Sequence, residues 1–538
     1  MNGSNLIGQA IHRSWVCRAM LVASGALTGL CLAFPKLGVL EWLTIVPYLL
    51  VCFTLASDET VKLRRLYTVG LWFNMGFSLV IFHWFVYMYP LEFAGLSPAA
   101  ALVVVIVAWW GLSLLQSLFG ALLPPMLALL MRGRIARRVP TLAIPAVAAL
   151  WCIREWCQTL IWTGVPWGRL AIGQTEMTVM LGTARYLGSY AITFVLVAFN
   201  ACVAYALLHA DKKRACMLTA LGLLAAQLVV GGVVLLTDGL HATDRTVTVA
   251  AVQGNISSTD KWKMSANESF YEYLDLSVEA AEQGADVIVW PETAVPKLGE
   301  SPRTTYPARL SSLAKEHDAV ILAGYYIADD EGNHYNSIRA YDTDGRCVDP
   351  YYAKRHPVPF GEYVPMRSVV EVLVPPLTEI SQLSGDVAAG ECSAVFDTAH
   401  GRIGALICFD SIYEMLAIDS VRDGAEVLSV STNDSWFFDS AAVYMHNAQA
   451  KLRAVETGRY VVRTATTGVS SIITPTGKVV DELPPLEQGV LYGEVELRSD
   501  MTMYVCTGNL LVWLCIAGGV ALLADHILCR VNSHKEKR

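Results

Sequence analysis

Eight apolar segments of roughly bilayer length limit the folds that this chain can adopt. A helix that crosses a bilayer needs about 20 mostly apolar residues. Seven of the segments precede residue 240, and the eighth lies close to the end of the chain. We therefore predict eight transmembrane helices, at residues 19–34, 38–56, 68–89, 99–130, 140–162, 186–208, 215–236 and 504–528.

The composition divides the chain into three parts. Only 16% of the 538 residues are charged and 54% are hydrophobic, whereas soluble proteins have about 25% charged residues. Residues 240–500 nevertheless have an ordinary soluble composition. We predict a membrane domain at 1–239 with seven helices, a soluble domain at 240–500, and an eighth helix with a short tail at 501–538. No basic patch indicates a nucleic-acid partner.

Basic residues are concentrated in alternate connections between the predicted spans, and this pattern indicates the orientation. Loops rich in Lys and Arg stay in the cytoplasm. With this rule both termini are cytoplasmic, and the soluble domain lies on the opposite face of the membrane. In a Gram-negative cell this arrangement is an inner-membrane protein with a periplasmic domain. The clusters are Arg13 and Arg18; Lys62, Arg64 and Arg65; Arg132, Arg134, Arg137 and Arg138; Lys212, Lys213 and Arg214; and Arg530, Lys535, Lys537 and Arg538.

Strand-like and helix-like segments alternate along the soluble part. Such alternation favours a layered α/β domain, and tight turns between later strands indicate a mixed sheet. Helices are predicted at 267–283, 305–317 and 440–457, with another ending near Arg422. Strands are predicted at 246–253, 285–290, 319–326, 336–342, 346–352, 391–397, 403–407, 425–431, 460–466 and 469–474.

Three of these strands are followed by groups that can react. Glu292 follows Trp290-Pro291, Lys354 follows another strand, and Cys408 follows the apolar run 403–407. Each residue alone is more often structural, but together they can build a covalent acyl-transfer site. A neighbouring base or cation activates a thiol, and a backbone N–H after the cysteine can bind the oxyanion.

Several common site chemistries are missing from the sequence. It contains no G-x-S-x-G, H-E-x-x-H, Walker A or G-x-G-x-x-G motif, and its 11 histidines lack metal-ligand spacing. We therefore expect no metal and no cofactor. Of the 13 cysteines, the soluble domain contains Cys347, Cys392 and Cys408. Whether Cys347 and Cys392 pair is left open by the sequence.

Three segments, at 289–296, 354–365 and 404–410, together resemble the nitrilase, or carbon–nitrogen hydrolase, superfamily. The match to its apolipoprotein N-acyltransferase branch is closer, because further segments and the eight spans agree with that branch. These segments lie at 151–156, 163–167, 432–437 and 453–459. The resemblance covers essentially the whole chain, and the order of the motifs is more specific than any one of them.

The resemblance implies an αββα sandwich with a Glu-Lys-Cys triad and a ping-pong reaction. Glu292 would be the general base, Lys354 the cationic stabiliser and Cys408 the nucleophile. An acyl chain would pass from a phospholipid, typically phosphatidylethanolamine, to Cys408. It would then pass to the α-amino group of the N-terminal S-diacylglyceryl cysteine of an apolipoprotein, the last step of lipoprotein maturation.

The resemblance also implies supporting or substrate-binding positions. Members of the branch commonly follow the cysteine with Tyr and Glu, whereas this chain has Phe409 and Asp410. We expect the core chemistry to persist, with any effect of this pair falling on recognition of the second substrate. The other predicted supporting residues are Glu362, Trp262, Trp436, Gly164 and Trp167.

Two other functions were weighed against acyl transfer to a lipoprotein. A membrane-tethered amidase acting on a small amide would use the same triad, but in a wet and open pocket. A transporter or receptor would carry more ionisable residues buried within its spans. The predicted spans contain few such residues beyond Arg154 and Glu155, which argues against a transport path.

Overall fold

The computed structural model describes residues 14–91, 96–160, 164–296, 305–373 and 386–535. The chain forms two compact units. The first unit comprises Met1–Val86, Val103–Leu235 and Thr507–Arg538, and the second comprises Tyr87–Leu102 and Leu236–Cys506.

The N-terminal part of the chain is helical, as its apolar segments predict. Its α-helices are α1 (Ser14–Ala33), α2 (Glu41–Thr44), α3 (Val46–Ala56), α4 (Leu63–Ile81), α5 (Pro98–Gly120), α6 (Leu123–Met131), α7 (Arg134–Arg138), α8 (Ala143–Cys157), α9 (Ala184–Leu187), α10 (Ser189–Leu208) and α11 (Lys213–Thr237).

Six helical segments among the described residues are long and apolar enough to cross a membrane. The predicted number of eight is therefore not confirmed. The predicted spans at 68–89 and 140–162 correspond to α4, which carries Arg64 and Arg65 near its start, and α8, which has 15 residues. The six segments are Trp15–Ala33, Pro35–Ala56, Pro98–Met131, Ser189–Leu208, Lys213–His241 and Leu510–Asn532.

The backbones of α1 and α4 approach each other closely within the first unit. A Cβ atom added to Gly25 would lie 1.9 Å from the carbonyl oxygen of Phe73. Small residues permit such contact between helices in membranes, where van der Waals packing drives association. A larger residue at position 25 would separate the two helices.

Buried ionisable groups in the first unit are bonded to their neighbours. Glu155 accepts hydrogen bonds from the backbone N–H of Leu170 at 3.0 Å and from the hydroxyl of Thr193 at 2.8 Å. Glu41, which is also fully buried, accepts one from the side-chain amide of Gln174 at 2.7 Å. Buried polar groups need such partners, so these contacts are typical of structural groups.

The second unit alternates strands and helices, as predicted. Its elements, followed by the C-terminal helices, are β1 (Thr246–Gln253), α12 (Ala266–Glu282), β2 (Val287–Val289), α13 (Thr305–His317), β3 (Val320–Ala328), β4 (His334–Tyr341), β5 (Cys347–Ala353), α14 (Arg367–Leu373), β6 (Val395–Thr398), β7 (Gly401–Ile407), α15 (Glu414–Arg422), β8 (Val427–Thr432), α16 (Ala441–Thr457), β9 (Val461–Ala465), β10 (Ser470–Ile473), β11 (Val479–Leu483), β12 (Gly489–Glu496), α17 (Met503–Thr507) and α18 (Leu510–Lys535).

The strands form two six-stranded sheets that face each other. Their orders are β12-β1-β2-β3-β4-β5 and β11-β10-β9-β8-β7-β6. Successive side chains of a strand point to opposite faces. In β3, Val320 and Leu322 join the core between the sheets, while Ile321 and Ala323 pack towards α12 and α13. Helices α15 and α16 pack on the second sheet. The predicted αββα sandwich is therefore confirmed.

The sequence analysis did not predict β11 and β12. Each forms an edge of its sheet, and each contains acidic residues. Charged residues weaken a strand pattern and are common on edge strands. β12 pairs antiparallel with β1 over its whole length, from Thr246 opposite Glu496 to Gln253 opposite Gly489. The last strand of the sandwich therefore closes against the first.

The cysteines of the soluble domain are not disulfide-bonded in the structure. Cys408 is buried, Cys347 is half-buried and Cys392 is exposed. The question that the sequence left open is thus answered for Cys347 and Cys392, which remain separate thiols.

Candidate active site

The topology of the first sheet brings Glu292 and Lys354 to one edge. β2 and β3 are parallel, and β4 runs antiparallel to both β3 and β5. β5 therefore points in the same direction as β2. Glu292 follows the end of β2 and Lys354 follows the end of β5, so residues far apart in sequence meet beyond the same ends of the strands.

Cys408 comes from the second sheet, at the end of β7. β7, β8 and β9 are parallel, so Cys408 and Thr432, the last residue of β8, lie at the same edge. The hydroxyl of Thr432 hydrogen-bonds to the thiol. Cys408 begins a 3₁₀ turn, Cys408–Ile412, with a φ of 50°. This left-handed backbone conformation is uncommon for a residue with a side chain and is often found at functional sites.

A buried polar network joins the first-sheet residues. The amine of Lys354 lies 2.8 Å from Oε1 of Glu292 and 2.8 Å from Oε2 of Glu362. The side-chain amide nitrogen of Asn336 donates to both carboxylates, at 2.6 Å and 2.7 Å. The backbone N–H of Asn433 donates to the second oxygen of Glu292 at 2.7 Å. Glu292 is thus oriented from both sheets.

The two carboxylates keep Lys354 charged. Burial by itself opposes the charged amine, but Glu292 and Glu362 outweigh burial and raise the pKa of Lys354 well above its usual value. A buried charge is tolerated when it is paired and hydrogen-bonded. The site therefore holds a permanent cation between two carboxylates.

The surroundings of Cys408 favour the protonated form of its thiol. Burial is the largest effect that raises the pKa of Cys408, and Glu292 raises it further, while Lys354 and the hydrogen bond from Thr432 oppose the increase. Lys354 does favour the thiolate, but the effect of burial is larger. The proton must leave during attack, which requires a base close to the sulfur.

Asp410 ties the turn after Cys408 to the segment after β5. Its carboxylate accepts hydrogen bonds from the Tyr352 hydroxyl and the His356 backbone N–H, both at 2.8 Å. Burial raises the pKa of Asp410 to about 6, against the opposing charge of Lys354. Asp410 is fully buried, so it supports the site through these hydrogen bonds. The predicted effect of this position on the second substrate stays a prediction.

The segment that carries Glu292 lies directly against β3. A Cβ atom added to Gly324 would be 2.4 Å from the carbonyl oxygen of Pro291 and 2.5 Å from the backbone nitrogen of Thr293. Only a residue without a side chain allows this approach. Gly324 therefore helps to fix the position of Glu292.

The remaining predicted residues have different placements. Glu362 belongs to the network, and the Phe409 ring packs edge-on to Tyr413 at 5.5 Å. Trp436 is half-buried in the loop after β8. The side chain of Trp262 lies outside the described residues. The first unit contains Gly164 and Trp167, and the latter is buried. The expected roles of Trp262, Trp436, Gly164 and Trp167 stay predictions.

Three polar residues of the site were missed by the sequence analysis. Asn336 bridges two carboxylates, and the Lys261 amine donates to the carbonyl oxygen of Thr293 at 2.9 Å. Burial lowers the pKa of Lys261 to about 8, with Glu292 opposing. Burial and the nearby Glu362 raise the pKa of Tyr326. No local sequence signal marked these residues, because β4 contains several other polar residues besides Asn336, and Tyr326 follows another tyrosine in β3.

One group of side chains in the described part of the chain has the spacing of metal ligands. Donor atoms of Cys408, Asp434 and His446 lie within 4.8 Å of one another. However, Arg463 pairs with Asp434, and both ring nitrogens of His446 already have hydrogen-bond partners. A metal ion would face the guanidinium charge and displace these bonds, so the residues fit a polar network better than a metal centre.

Sequence models of two protein families match the chain. The model described as carbon-nitrogen hydrolase matches residues 248–499. The model described as apolipoprotein N-acyltransferase N-terminal domain matches residues 24–202. The matches therefore fall on the soluble part and on the membrane part of the chain, respectively.

Similar proteins cover almost the whole chain. An apolipoprotein N-acyltransferase of Geobacter metallireducens is 31% identical over 525 residues, 94% of each chain. Another, of Pseudomonas syringae pv. tomato, is 32% identical over 368 residues, 67% of this chain and 70% of the relative. Among solved structures, Nit3 of Saccharomyces cerevisiae is 21% identical with a TM-score of 0.37, covering 47% of this chain and 90% of that one.

Proposed function

The chain belongs to the apolipoprotein N-acyltransferase family, and from this premise we propose that Cys408 carries the acyl group between two membrane-anchored substrates. As a member of this family, the protein is a membrane acyltransferase that N-acylates lipoproteins. The donor in this proposal is a phospholipid, typically phosphatidylethanolamine. The acceptor is the α-amino group of an N-terminal S-diacylglyceryl cysteine. The observation that carries the proposal is the buried amine of Lys354, held 2.8 Å from a carboxylate oxygen of both Glu292 and Glu362, with the Cys408 thiol within range of the charges of Lys354 and Glu292.

In the first step, the sulfur of Cys408 attacks the ester carbonyl of the donor. Glu292 takes the thiol proton, and Lys354 and the backbone N–H after Cys408 stabilise the oxyanion. Collapse of the intermediate expels the glycerol oxygen, which receives the proton from Glu292. The products are a thioester on Cys408 and a lysophospholipid.

In the second step, the acceptor amine attacks the thioester. Glu292 takes a proton from the amine, and the expelled sulfur of Cys408 recovers it as the amide forms. The same base and the same cation serve both steps, which is the logic of a ping-pong reaction. Water must be excluded between the steps, because it would hydrolyse the thioester.

A thioester on Cys408 is the result that tests this proposal. When the purified protein is incubated with phospholipid, intact-mass measurement is expected to show one acyl adduct that hydroxylamine removes. The adduct should be lost in Cys408→Ala, whose thiol is gone. Cys392→Ala is the matched control, since Cys392 is an exposed thiol of the same unit and its variant should load normally. An adduct that survives in Cys408→Ala would refute the proposal.

The membrane-tethered amidase is the weaker alternative. The 31% identical relative covers the membrane part as well as the soluble part. An enzyme for a small soluble amide has no evident use for helices that recruit lipid-anchored substrates. The two functions also differ in products, because the amidase releases an acid whereas the acyltransferase yields an acylated peptide.

We further propose that the soluble domain faces the periplasm of a bacterial inner membrane. Seven predicted spans precede residue 240, and five of the six spans that the structure supports lie in the same part of the chain. Both numbers are odd, so the soluble domain and the N-terminus lie on opposite faces. The basic clusters assign the N-terminus to the cytoplasm.

Compartment-specific reporters fused after residues 210, 240 and 538 check this orientation. We expect cytoplasmic signals at 210 and 538 and a periplasmic signal at 240, because the basic loops stay inside. The 210 fusion is the control for reporter insertion near 240, since only one span separates the two sites. A cytoplasmic signal at 240 would contradict the orientation and the proposed acceptor together.

A further inference from the structure

A second buried polar cluster lies behind Cys408. Nδ1 of His446 is 2.8 Å from Oδ1 of Asp434, and the guanidinium of Arg463 pairs with the other oxygen of Asp434. The three side chains are fully buried or nearly so, with exposed fractions of 0–1%. Burying three ionisable groups is unfavourable unless each is paired. The cluster therefore needs a reason beyond packing.

The cluster contacts the backbone of Cys408, the proposed nucleophile. Nε2 of His446 lies 3.1 Å from the carbonyl oxygen of Cys408 and 3.1 Å from the hydroxyl oxygen of Ser411. A carbonyl oxygen only accepts hydrogen bonds, so Nε2 must carry a hydrogen. Nδ1 faces the Asp434 carboxylate at 2.8 Å. The His446 ring thus bridges Asp434 on one side and the backbone of Cys408 on the other.

Asp434 is suited to orient the ring. Burial opposes ionisation of its carboxyl group, but His446 and Arg463 outweigh burial and lower the pKa of Asp434 to about 2. The carboxylate is therefore ionised at neutral pH. Its second oxygen is held by Arg463, so it cannot rotate away from the ring without breaking an ion pair.

The carbonyl that His446 contacts belongs to a residue with an unfavourable backbone conformation. Cys408 has a φ of 50°, and a left-handed conformation is unfavourable for a residue with a Cβ atom. Two side chains contact this carbonyl, His446 through Nε2 at 3.1 Å and Ser411 through its hydroxyl at 2.7 Å. The direction of the Cys408 side chain and of the following backbone N–H groups depends on that fixed peptide.

We propose that His446, oriented by Asp434, is a positioning residue that holds the backbone of Cys408 in the left-handed conformation required for attack. This inference rests on the proposed function, in which Cys408 is the nucleophile. His446 does not touch the reacting atoms in this role. It acts through the carbonyl group of Cys408, together with Ser411.

Two substitutions at position 446 test the contact with Asp434 and the contact with Cys408 separately. In His446→Asn the amide nitrogen takes the place of Nδ1 and can still bond Asp434, but the donor to Cys408 is lost. In His446→Gln the longer side chain brings an amide nitrogen to the place of Nε2, so the donor to Cys408 is kept. If His446 positions the nucleophile, Gln should preserve acylation better than Asn.

Single-turnover loading of the full-length protein by phosphatidylethanolamine in detergent micelles measures the effect. His446→Asn is expected to lower the loading rate about 10- to 100-fold, the effect of removing one buried donor, without a change in the half-saturating lipid concentration. His446→Gln should recover at least half of that loss on a logarithmic scale. Equal losses in both variants, in parallel with their thermal stability, would mean a merely structural role and would overturn the proposal.

Ser411→Ala gives an independent measurement if the histidine variants do not fold. It removes the other donor to the same carbonyl and should lower the loading rate about tenfold. Ser420→Ala is the matched control, because Ser420 is equally buried and donates to a backbone carbonyl within α15. Loading at the wild-type rate in Ser411→Ala, or equal loss in Ser420→Ala, would overturn the proposal.

The Cys408→Ala variant separates this inference from the proposed function. An adduct that remains in Cys408→Ala would refute the proposed nucleophile, whatever His446 does. Loss of the adduct in Cys408→Ala, combined with wild-type loading in His446→Asn, would refute the positioning role alone.

Discussion

Lys354→Met is expected to abolish acyl-enzyme formation and to destabilise the second unit. The loss of the cation removes oxyanion stabilisation, which should lower the loading rate by at least about 10²–10³-fold. It also leaves Glu292 and Glu362 buried without their shared partner. Breaking a buried ion pair from one side costs about 3–5 kcal/mol of the free energy of unfolding. Single-turnover loading and thermal unfolding in detergent measure the two effects.

A second substitution separates these two effects of Lys354→Met. Adding Glu362→Gln removes one of the two uncompensated carboxylates, so the double variant should recover much of the lost stability. It should not recover acylation, because the cation is still missing. Lys354→Met that loads Cys408 at the wild-type rate would contradict the assigned role. Because Lys354 is buried between two acids, its replacement is expected to lower stability as well as acylation.

Glu292→Gln is expected to lower acylation about 10²–10⁴-fold while the protein stays folded. The amide is nearly the same size as the carboxylate, and Lys354 keeps Glu362 as its partner. Because burial raises the pKa of Cys408, an unassisted thiol reacts only through its small thiolate fraction. The rate of Glu292→Gln should therefore keep rising with pH while the protein stays folded, as thiolate forms without the base.

Glu426→Gln is the matched control for Glu292→Gln. Glu426 is similarly buried in the second unit, where it pairs with Arg245. Its substitution should leave the loading rate near that of the wild type. If Glu292→Gln also loads Cys408 normally at neutral pH, Glu292 is not the base, and the proton must leave by another route.

The sequence predicted the layered architecture and the strand-end residues because both depend on local patterns. Glu292 and Cys408 each follow an apolar run, and Lys354 follows a predicted strand. The meeting of Glu292 and Lys354 needed one further rule, that the ends of strands running in the same direction lie at one edge of a sheet. That rule can be applied without knowing the order of all the strands in the sheet.

The missed features depend on contacts that local patterns do not record. Asn336 lies at the beginning of β4, and nothing near it in sequence indicates that two distant carboxylates need a shared donor. His446 lies in α16, a helix buried on all sides, where a histidine is indistinguishable from packing. The predicted number of eight membrane spans is not confirmed for a different reason, because α4 and α8 are less apolar or shorter than a single span requires.

The pairing of β1 with β12 has a consequence for how the soluble domain is joined to the rest of the chain. Thr246 and Glu496 are direct cross-strand partners, so their Cα atoms lie about 4.5–5.5 Å apart. The domain therefore enters and leaves through one point, like an insertion into a loop between two helices. A short linker could join these ends, and new termini could be opened at an exposed turn elsewhere. The topology of the sandwich is therefore compatible with circular permutation.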